Sequence, residues 1–194
     1  MNKTDLIIQL HEIECIQFGS FTMVSGLSSP IYIDLRRVMA RPSLLKQVAQ
    51  AYADMIHMLD FELLAAVPYA ALTIGTAVSL SMDKPLIYPR KNAKTHGARR
   101  EVEGIFSPGD KSIIIEDLVT KGGSVLRAVE VLERAGLTVT DVAVLIDREQ
   151  GGRERLNNRH YKLHAYFTLS ELVRILHLED RITTDEVTMV LNSL

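Results

Sequence analysis

Cysteine is nearly absent from this chain: Cys15 is the only one in 194 residues. No intrachain disulfide and no cysteine-based metal centre can form, which suits a reducing compartment. An excess of charge of one sign is also missing. The 22 basic and 24 acidic residues leave a formal charge of −2, a balance that argues against general nucleic-acid or membrane-surface binding. No uncharged apolar run reaches the ~18 residues that a membrane-spanning helix requires. The first turns carry Lys3, Asp5, Glu12 and Glu14, unlike a secretory leader. These absences lead to the expectation of a soluble, cytoplasmic protein with neither a nucleic-acid nor a membrane partner. Repeats and low-complexity tracts are missing too, and the length fits one domain. Such a chain can bury roughly 70% of the surface it exposes when unfolded.

What is present is an alternation of short apolar runs with amphipathic stretches. Residues 4–16 read as a helix, with Leu6, Leu10 and Ile13 at helical spacing and Thr4 as its N-cap. Phe21–Val24 and Ile31–Leu35 are β-like pieces around a Gly-Leu-Ser-Ser-Pro turn. A helix over 42–59 opens with Pro42, a permitted early position. Buried strands are predicted at Glu62–Val67, Pro85–Tyr88, Ser112–Ile115, Thr138–Ile146 and His164–Thr168. Helices are predicted over 72–81, Ser124–Ala135 with Gly136 as its stop, 151–159, Ser170–His177 and Thr184–Leu191. Residues 89–104 read as a loop. This rhythm implies an α/β fold, a mostly parallel twisted sheet flanked by helices. Ligands in such sheets sit beyond the carboxyl ends of the strands.

The most informative stretch is Ser112-Ile-Ile-Ile-Glu-Asp-Leu-Val-Thr-Lys-Gly-Gly-Ser124. An apolar strand ends in Glu116 and Asp117, and the loop Thr120–Ser124 runs into a helix. Gly122 and Gly123 allow successive N–H groups to turn toward one point, the helix N-terminus adds partial positive charge, and Thr120 and Ser124 add hydroxyl donors. A phosphate fits that cradle, whereas the two carboxylates suit the vicinal hydroxyls of a ribose. A 5-phosphoribosyl group satisfies both. The lysine precedes the glycine pair, so the nucleotide P-loop pattern fails, and no G-x-G-x-x-G follows the strand. The plain alternative is an ordinary β–α turn in which glycine eases packing.

Residues 90–100 read Arg-Lys-Asn-Ala-Lys-Thr-His-Gly-Ala-Arg-Arg. A solvated surface loop is the plain reading. The sharper one is a mobile lid whose cations neutralise charge developing on a departing diphosphate, with His96 placed to deliver a proton. The histidines His11, His57, His160, His164 and His177 lack ligand spacing and read as surface or packing residues. Cys15 and the leucines Leu172, Leu176 and Leu178 read as core.

Together these motifs resemble the type I phosphoribosyltransferases, and among them the orotate phosphoribosyltransferases. Ile113–Ser124 is similar to the ribose-phosphate diphosphate signature, and Arg90-Lys91…Lys94-Thr-His96-Gly97 to the catalytic loop. Ser25–Arg36 looks like the orotate-side segment, Val67-Pro-Tyr69 like the pyrophosphate-side loop, and Leu145–Gly152 like the strand end that contacts the base. The resemblance runs from about residue 18 to about residue 180 and is strongest to the transferase half of the bifunctional uridine monophosphate synthases. It implies one phosphoribosyltransferase domain over 1–194, with a small N-terminal hood (about 1–40) and an α/β core (about 60–170). By the same resemblance, Arg90, Lys91, Lys94 and His96 are catalytic, the last two reaching across a homodimer interface. Tyr69, Glu116, Asp117 and the run Leu118, Val119, Thr120, Lys121, Gly122, Gly123 and Ser124 bind the ribosyl diphosphate. Tyr32, Ile33, Thr120 and Arg148 bind orotate, with Arg148 pairing to its carboxylate. Mg2+ accompanies the diphosphate with no direct side-chain ligand. The implied reaction gives orotidine 5-monophosphate for pyrimidine biosynthesis. The chain departs from the family pattern at Val24 and Ala70, where lysines are usual, and at Lys121, where a small residue is commoner. Two alternatives stay open: another acceptor base, and a sensor that binds the ribosyl diphosphate without turnover.

Overall fold

The computed structural model describes residues 2–22, 26, 28–90 and 101–194. Lys91, Lys94, His96 and Val24 therefore lie outside the described residues. Among the latter, no helix is long and apolar enough to cross a membrane.

The chain opens with α1 (Lys3–Glu12), followed by a hairpin of β1 (Ile16–Thr22) and β2 (Ser28–Ile33) and a 3-10 turn at Leu35–Ala40. Next come α2 (Pro42–Ile56), β3 (Leu63–Ala66), α3 (Ala70–Met82), β4 (Leu86–Pro89) and β5 (Val102–Glu103). The remainder is β6 (Lys111–Val119), α4 (Gly123–Arg134), β7 (Thr138–Asp147), α5 (Gly152–Asn157), β8 (Lys162–Thr168), α6 (Leu169–Leu178) and α7 (Thr184–Leu191). The six-stranded sheet has the order β5-β4-β3-β6-β7-β8. All its neighbours are parallel except the edge pair β4–β5. The expected α/β architecture is thus present.

Alternation along β6 divides the core. Ile113 and Ile115 pack with α1, α2, α3, α6, α7 and the hairpin on one face. Ile114 packs with α4 and Leu156 of α5 on the other. Side chains of successive strand residues point to opposite faces, so an unbroken apolar run is what a strand covered on both sides requires. Each fully buried isoleucine contributes about 1.5–3 kcal/mol.

Several local expectations are corrected. The N-cap of α1 is Asn2, whose side chain accepts from the Thr4 N–H, and the helix stops at Glu12 because Cys15 and Ile16 are drawn into the core below the hairpin. Residues 102–103 are a strand, because an edge pairing with Tyr88 and Pro89 satisfies their backbone. Leu178 is 79% exposed: it ends α6, beyond the stripe that buries Leu172 and Leu176. Cys15 is fully buried as expected, and burial pushes its thiol pKa up to about 12.

Candidate active site

The carboxyl ends of β3, β4, β6 and β7 lie along one edge of the sheet, and the residues singled out by sequence leave the sheet there. Strand β6 is longer than expected and carries Glu116 and Asp117 within it, with Leu118 pairing Ile146 and Val119 pairing Asp147. Leu118 packs against the core cluster that holds Ile113 and Ile115, and the Val119 side chain is buried in the cluster that holds Ile114 and α4. The Glu116 carboxyl group hydrogen-bonds the Ser124 hydroxyl, and burial, then the nearby charge of Asp117, raise the pKa of the Tyr52 hydroxyl. Tyr52, fully buried in α2, donates its hydroxyl to the Glu116 carbonyl at 2.6 Å. The Asp117 N–H donates to Glu116 Oε1 (3.2 Å) and the Leu118 N–H to Asp117 Oδ1 (2.9 Å).

These carboxyl groups are costly to ionise. Glu116 is 6% exposed. Burial, and then the neighbouring charge of Asp117, push its pKa up to about 9, against the opposing pull of the Ser124 hydroxyl. Burial also raises Asp117, opposed by hydrogen bonds and by the Arg36 charge. The pair is therefore short of hydrogen-bond donors, which the hydroxyls of a sugar diol would supply. Arg36 is held above by Asp34, through Nε at 2.6 Å and Nη2 at 2.8 Å. Arg36 Nη2 also lies 3.4 Å from the Tyr32 hydroxyl. The Tyr32 ring packs on Phe21 at 5.5 Å, whereas the Ile33 side chain is part of the core.

After Val119 the chain turns through Thr120 and Lys121 to Gly122, the N-cap of α4, at φ +71°. No side chain caps this helix, and the amides of Gly122, Gly123 and Ser124 donate to no acceptor among the described residues. An uncapped helix start with a preceding turn of free amides is an anion cradle. A cleft of about 330 Å³ bounded by Val67, Pro68, Pro89, Arg90, Ser124 and Arg127 adjoins it. Tyr69 is the N-cap of α3 and is 66% exposed, and Ala70 begins that helix. Arg90 places Nη1 2.9 Å from Glu103 Oε1, an ion pair whose N–H points off the hydrogen-bond line.

Arg148 follows β7. It is 4% exposed, and its backbone N–H donates to the Val119 carbonyl at 2.9 Å. Its Nη2 lies 3.5 Å from Ser29 Oγ, and its Nε is buried with no partner. Burial alone lowers its pKa. A buried guanidinium without an anion is unfavourable, and the backbone of this one is tied to Val119, just before the phosphate loop. The turn that carries it is fixed by Asp147, which accepts from the Glu149 N–H (2.9 Å) and from Arg153 Nε (3.0 Å).

Sequence reasoning missed Ser29, Tyr52 and Arg155. Ser29 is one of two adjacent serines before Pro30 and gives no sign of facing a guanidinium 119 residues away. The Gly151–Gly152 pair was the available signal for α5: a Cβ on Gly152 would lie 2.4 Å from the Thr120 carbonyl oxygen. Four of the histidines make structural contacts: His11 with the Ile16 carbonyl at 3.1 Å, His57 with the Asp54 carbonyl at 2.8 Å, His164 with Asp141 at 2.6 Å and His177 with the Ile182 carbonyl at 3.1 Å.

Comparison with known proteins agrees with this geometry. A family model described as the phosphoribosyl transferase domain matches residues 15–163. The chain is 42% identical over 95% of its length to the uridine 5'-monophosphate synthase of Bos taurus, of which it spans 39%. It is 35% identical over 97% of its length to an orotate phosphoribosyltransferase of Caenorhabditis elegans, spanning 82% of that protein. The structure of Leishmania donovani UMP synthase superposes on the whole chain with a TM-score of 0.93 at 38% identity, the chain spanning 42% of it. This chain belongs to the phosphoribosyltransferase family and, within it, to the orotate phosphoribosyltransferases.

Proposed function

We propose that the protein transfers the 5-phosphoribosyl group of 5-phosphoribosyl 1-diphosphate to N1 of orotate. The C1–oxygen bond to diphosphate breaks, the C1–N1 bond forms, and orotidine 5-monophosphate and pyrophosphate are released. The step belongs to pyrimidine nucleotide biosynthesis. The observation that carries this reading is Arg148, a guanidinium 4% exposed and lacking any carboxylate partner among the described residues. A planar carboxylated base supplies what it lacks.

The rest of the edge fits the donor. The amides of Gly122 to Ser124 receive the 5-phosphate, and Glu116 and Asp117 accept from the ribose hydroxyls. Orotate arrives as an anion and needs no strong base, so positioning and electrostatics do the chemistry. Arg90 stands at the cleft beside the phosphate loop, and Lys91, Lys94 and His96 follow it in sequence, assigned by resemblance to the leaving diphosphate. We assign Lys94 and His96 to the neighbouring site of a homodimer.

Mg2+ is expected with the diphosphate. The buried Glu116, costly to ionise, is a poor cation ligand and suits the ribose hydroxyls, so the cation would be carried mainly by the diphosphate oxygens. A hard cation bound through substrate oxygens would lower the charge on the leaving group. A cytoplasmic location is supported by the single, buried cysteine.

The decisive experiment follows orotate absorbance with the ribosyl diphosphate, with and without Mg2+, and repeats the assay with adenine, guanine and uracil. Consumption of orotate alone is expected. Turnover of another base, or binding of the diphosphate with no turnover of any base, would overturn the assignment.

A further inference from the structure

We propose that Arg155, which lies outside the reacting groups, is a positioning residue for the phosphate loop. The role rests on the reading of that loop given above. Arg155 Nη1 donates to the Lys121 carbonyl oxygen at 3.1 Å. In a planar trans peptide the C=O and the following N–H point in opposite directions. Drawing the Lys121 carbonyl toward α5 therefore turns the Gly122 N–H away from α5, into the anion cradle.

The preceding peptide is set in the same way. The Thr120 carbonyl oxygen lies so close to Gly152 that a Cβ there would approach it to 2.4 Å, which turns the Lys121 N–H toward the cradle as well. Gly122 itself faces Leu156 and Gly152, its hypothetical Cβ lying 3.5 Å from Leu156 Cγ. The first turns of α5 thus act as a template against which two successive peptides are oriented. Only one of these contacts, that of Arg155, is a directed, charge-assisted hydrogen bond, and such bonds are roughly twice as strong as neutral ones. Arg155 makes no ion pair among the described residues, so the carbonyl is the contact that holds it.

This template has a second consequence. Arg148 and Arg155 stand at the two ends of one short segment, held in place by Asp147 just before it, which accepts from the Glu149 N–H and from Arg153 within it. Arg155 serves the phosphate end of the site and Arg148 the base end. Loss of the Arg155 contact should leave the base end intact.

The test compares Arg155→Met, which keeps the stem and removes the donor, with Arg155→Lys, which keeps a cationic donor. Calorimetry with inorganic phosphate reads the cradle without any turnover, and steady-state kinetics read KM for each substrate. The Met variant is expected to weaken phosphate binding and raise KM for the ribosyl diphosphate by about tenfold. KM for orotate should stay within about twofold and the melting temperature should be unchanged, because the side chain is exposed. The Lys variant should recover most of the loss. Unchanged phosphate binding in the Met variant overturns the proposal. So does a rise in both KM values together with a fall in melting temperature, or a Lys variant no better than Met. If the wild-type protein binds phosphate but does not consume orotate, the functional reading fails while the phosphate titrations still decide the role of Arg155.

Discussion

Arg148 and Ser29 meet at 3.5 Å, Nη2 to Oγ, across 119 residues of chain. The contact joins the carboxyl end of β7 to the N-terminal hairpin. It places a buried guanidinium where only a neutral hydroxyl answers it, because Ser29 Oγ already donates to the Ile31 carbonyl at 2.7 Å. Replacing Arg148 by Met therefore has two effects of opposite sign. Orotate KM should rise by roughly 10- to 100-fold, the value of a charge-assisted pair. The unliganded protein should melt at the same or a higher temperature, because an uncompensated buried charge is removed. Kinetics and thermal melts of one preparation check both, and a marked loss of stability would mean that the guanidinium is satisfied within the protein.

Glu116 makes the stability depend on pH. Its pKa is raised from 4.5 to about 9, first by burial and then by Asp117. Between those values the folded chain holds a proton that the unfolded chain has released. Stability contributed by this group is therefore greatest below pH 4.5, falls as pH rises, and levels off above about 9. In Glu116→Gln much of this slope should vanish, leaving the part due to Asp117, and the variant should melt above wild type at alkaline pH. Binding of the ribosyl diphosphate should weaken. Melts across the neutral-to-alkaline range read the slope, and one as steep as wild type's would place the proton on another group.

Gly152 leaves no room for a side chain between α5 and the phosphate loop. An alanine Cβ would meet the Thr120 carbonyl oxygen at 2.4 Å and Val119 Cγ2 at 2.8 Å. Backbone cannot yield as a flexible side chain can, so Gly152→Ala should cost about 1–3 kcal/mol of stability. It should also weaken phosphate binding. Urea denaturation and phosphate titration measure the two, and wild-type values in both would show that the close contact is not maintained in solution.

Lys94 lies outside the described residues, so its prediction rests on sequence. Lys94→Ala is expected to remove most turnover while the ribosyl diphosphate still binds. Mixing Lys94→Ala with Asp117→Ala subunits should restore part of the activity if sites are shared between two copies. Verified mixed dimers without any recovery would confine the loop to its own subunit.

How legible each element was depends on how local its cause is. Helix α7 matches the predicted range Thr184–Leu191, and its start has a local cause, the capping box of Thr183 and Glu186. The end of α4 followed from Gly136, which adopts φ +92° just past the helix. Strand β5 was read as loop because two residues have no strand pattern of their own and pair only because Tyr88 and Pro89 present an edge. The far end of β6 was missed for a related reason: two consecutive carboxylates look like the start of a loop, and only the ladder to β7 keeps them in strand. At the site, the loop and its acidic pair were legible as a motif, but their protonation was not, because it follows from burial and, at Glu116, from the charge met in its neighbour Asp117.

The sequence alone determined the order of elements, the acidic pair before a double glycine, and the cation-rich stretch after β4, since each is written in residues close together along the chain. Only the folded protein decided that Arg148 is buried with no counter-ion among the described residues, that burial raises the Glu116 pKa well above its ordinary value, and that α5 presses on the phosphate loop. Burial and facing partners depend on segments far apart in the chain, and no local pattern records which of them will meet.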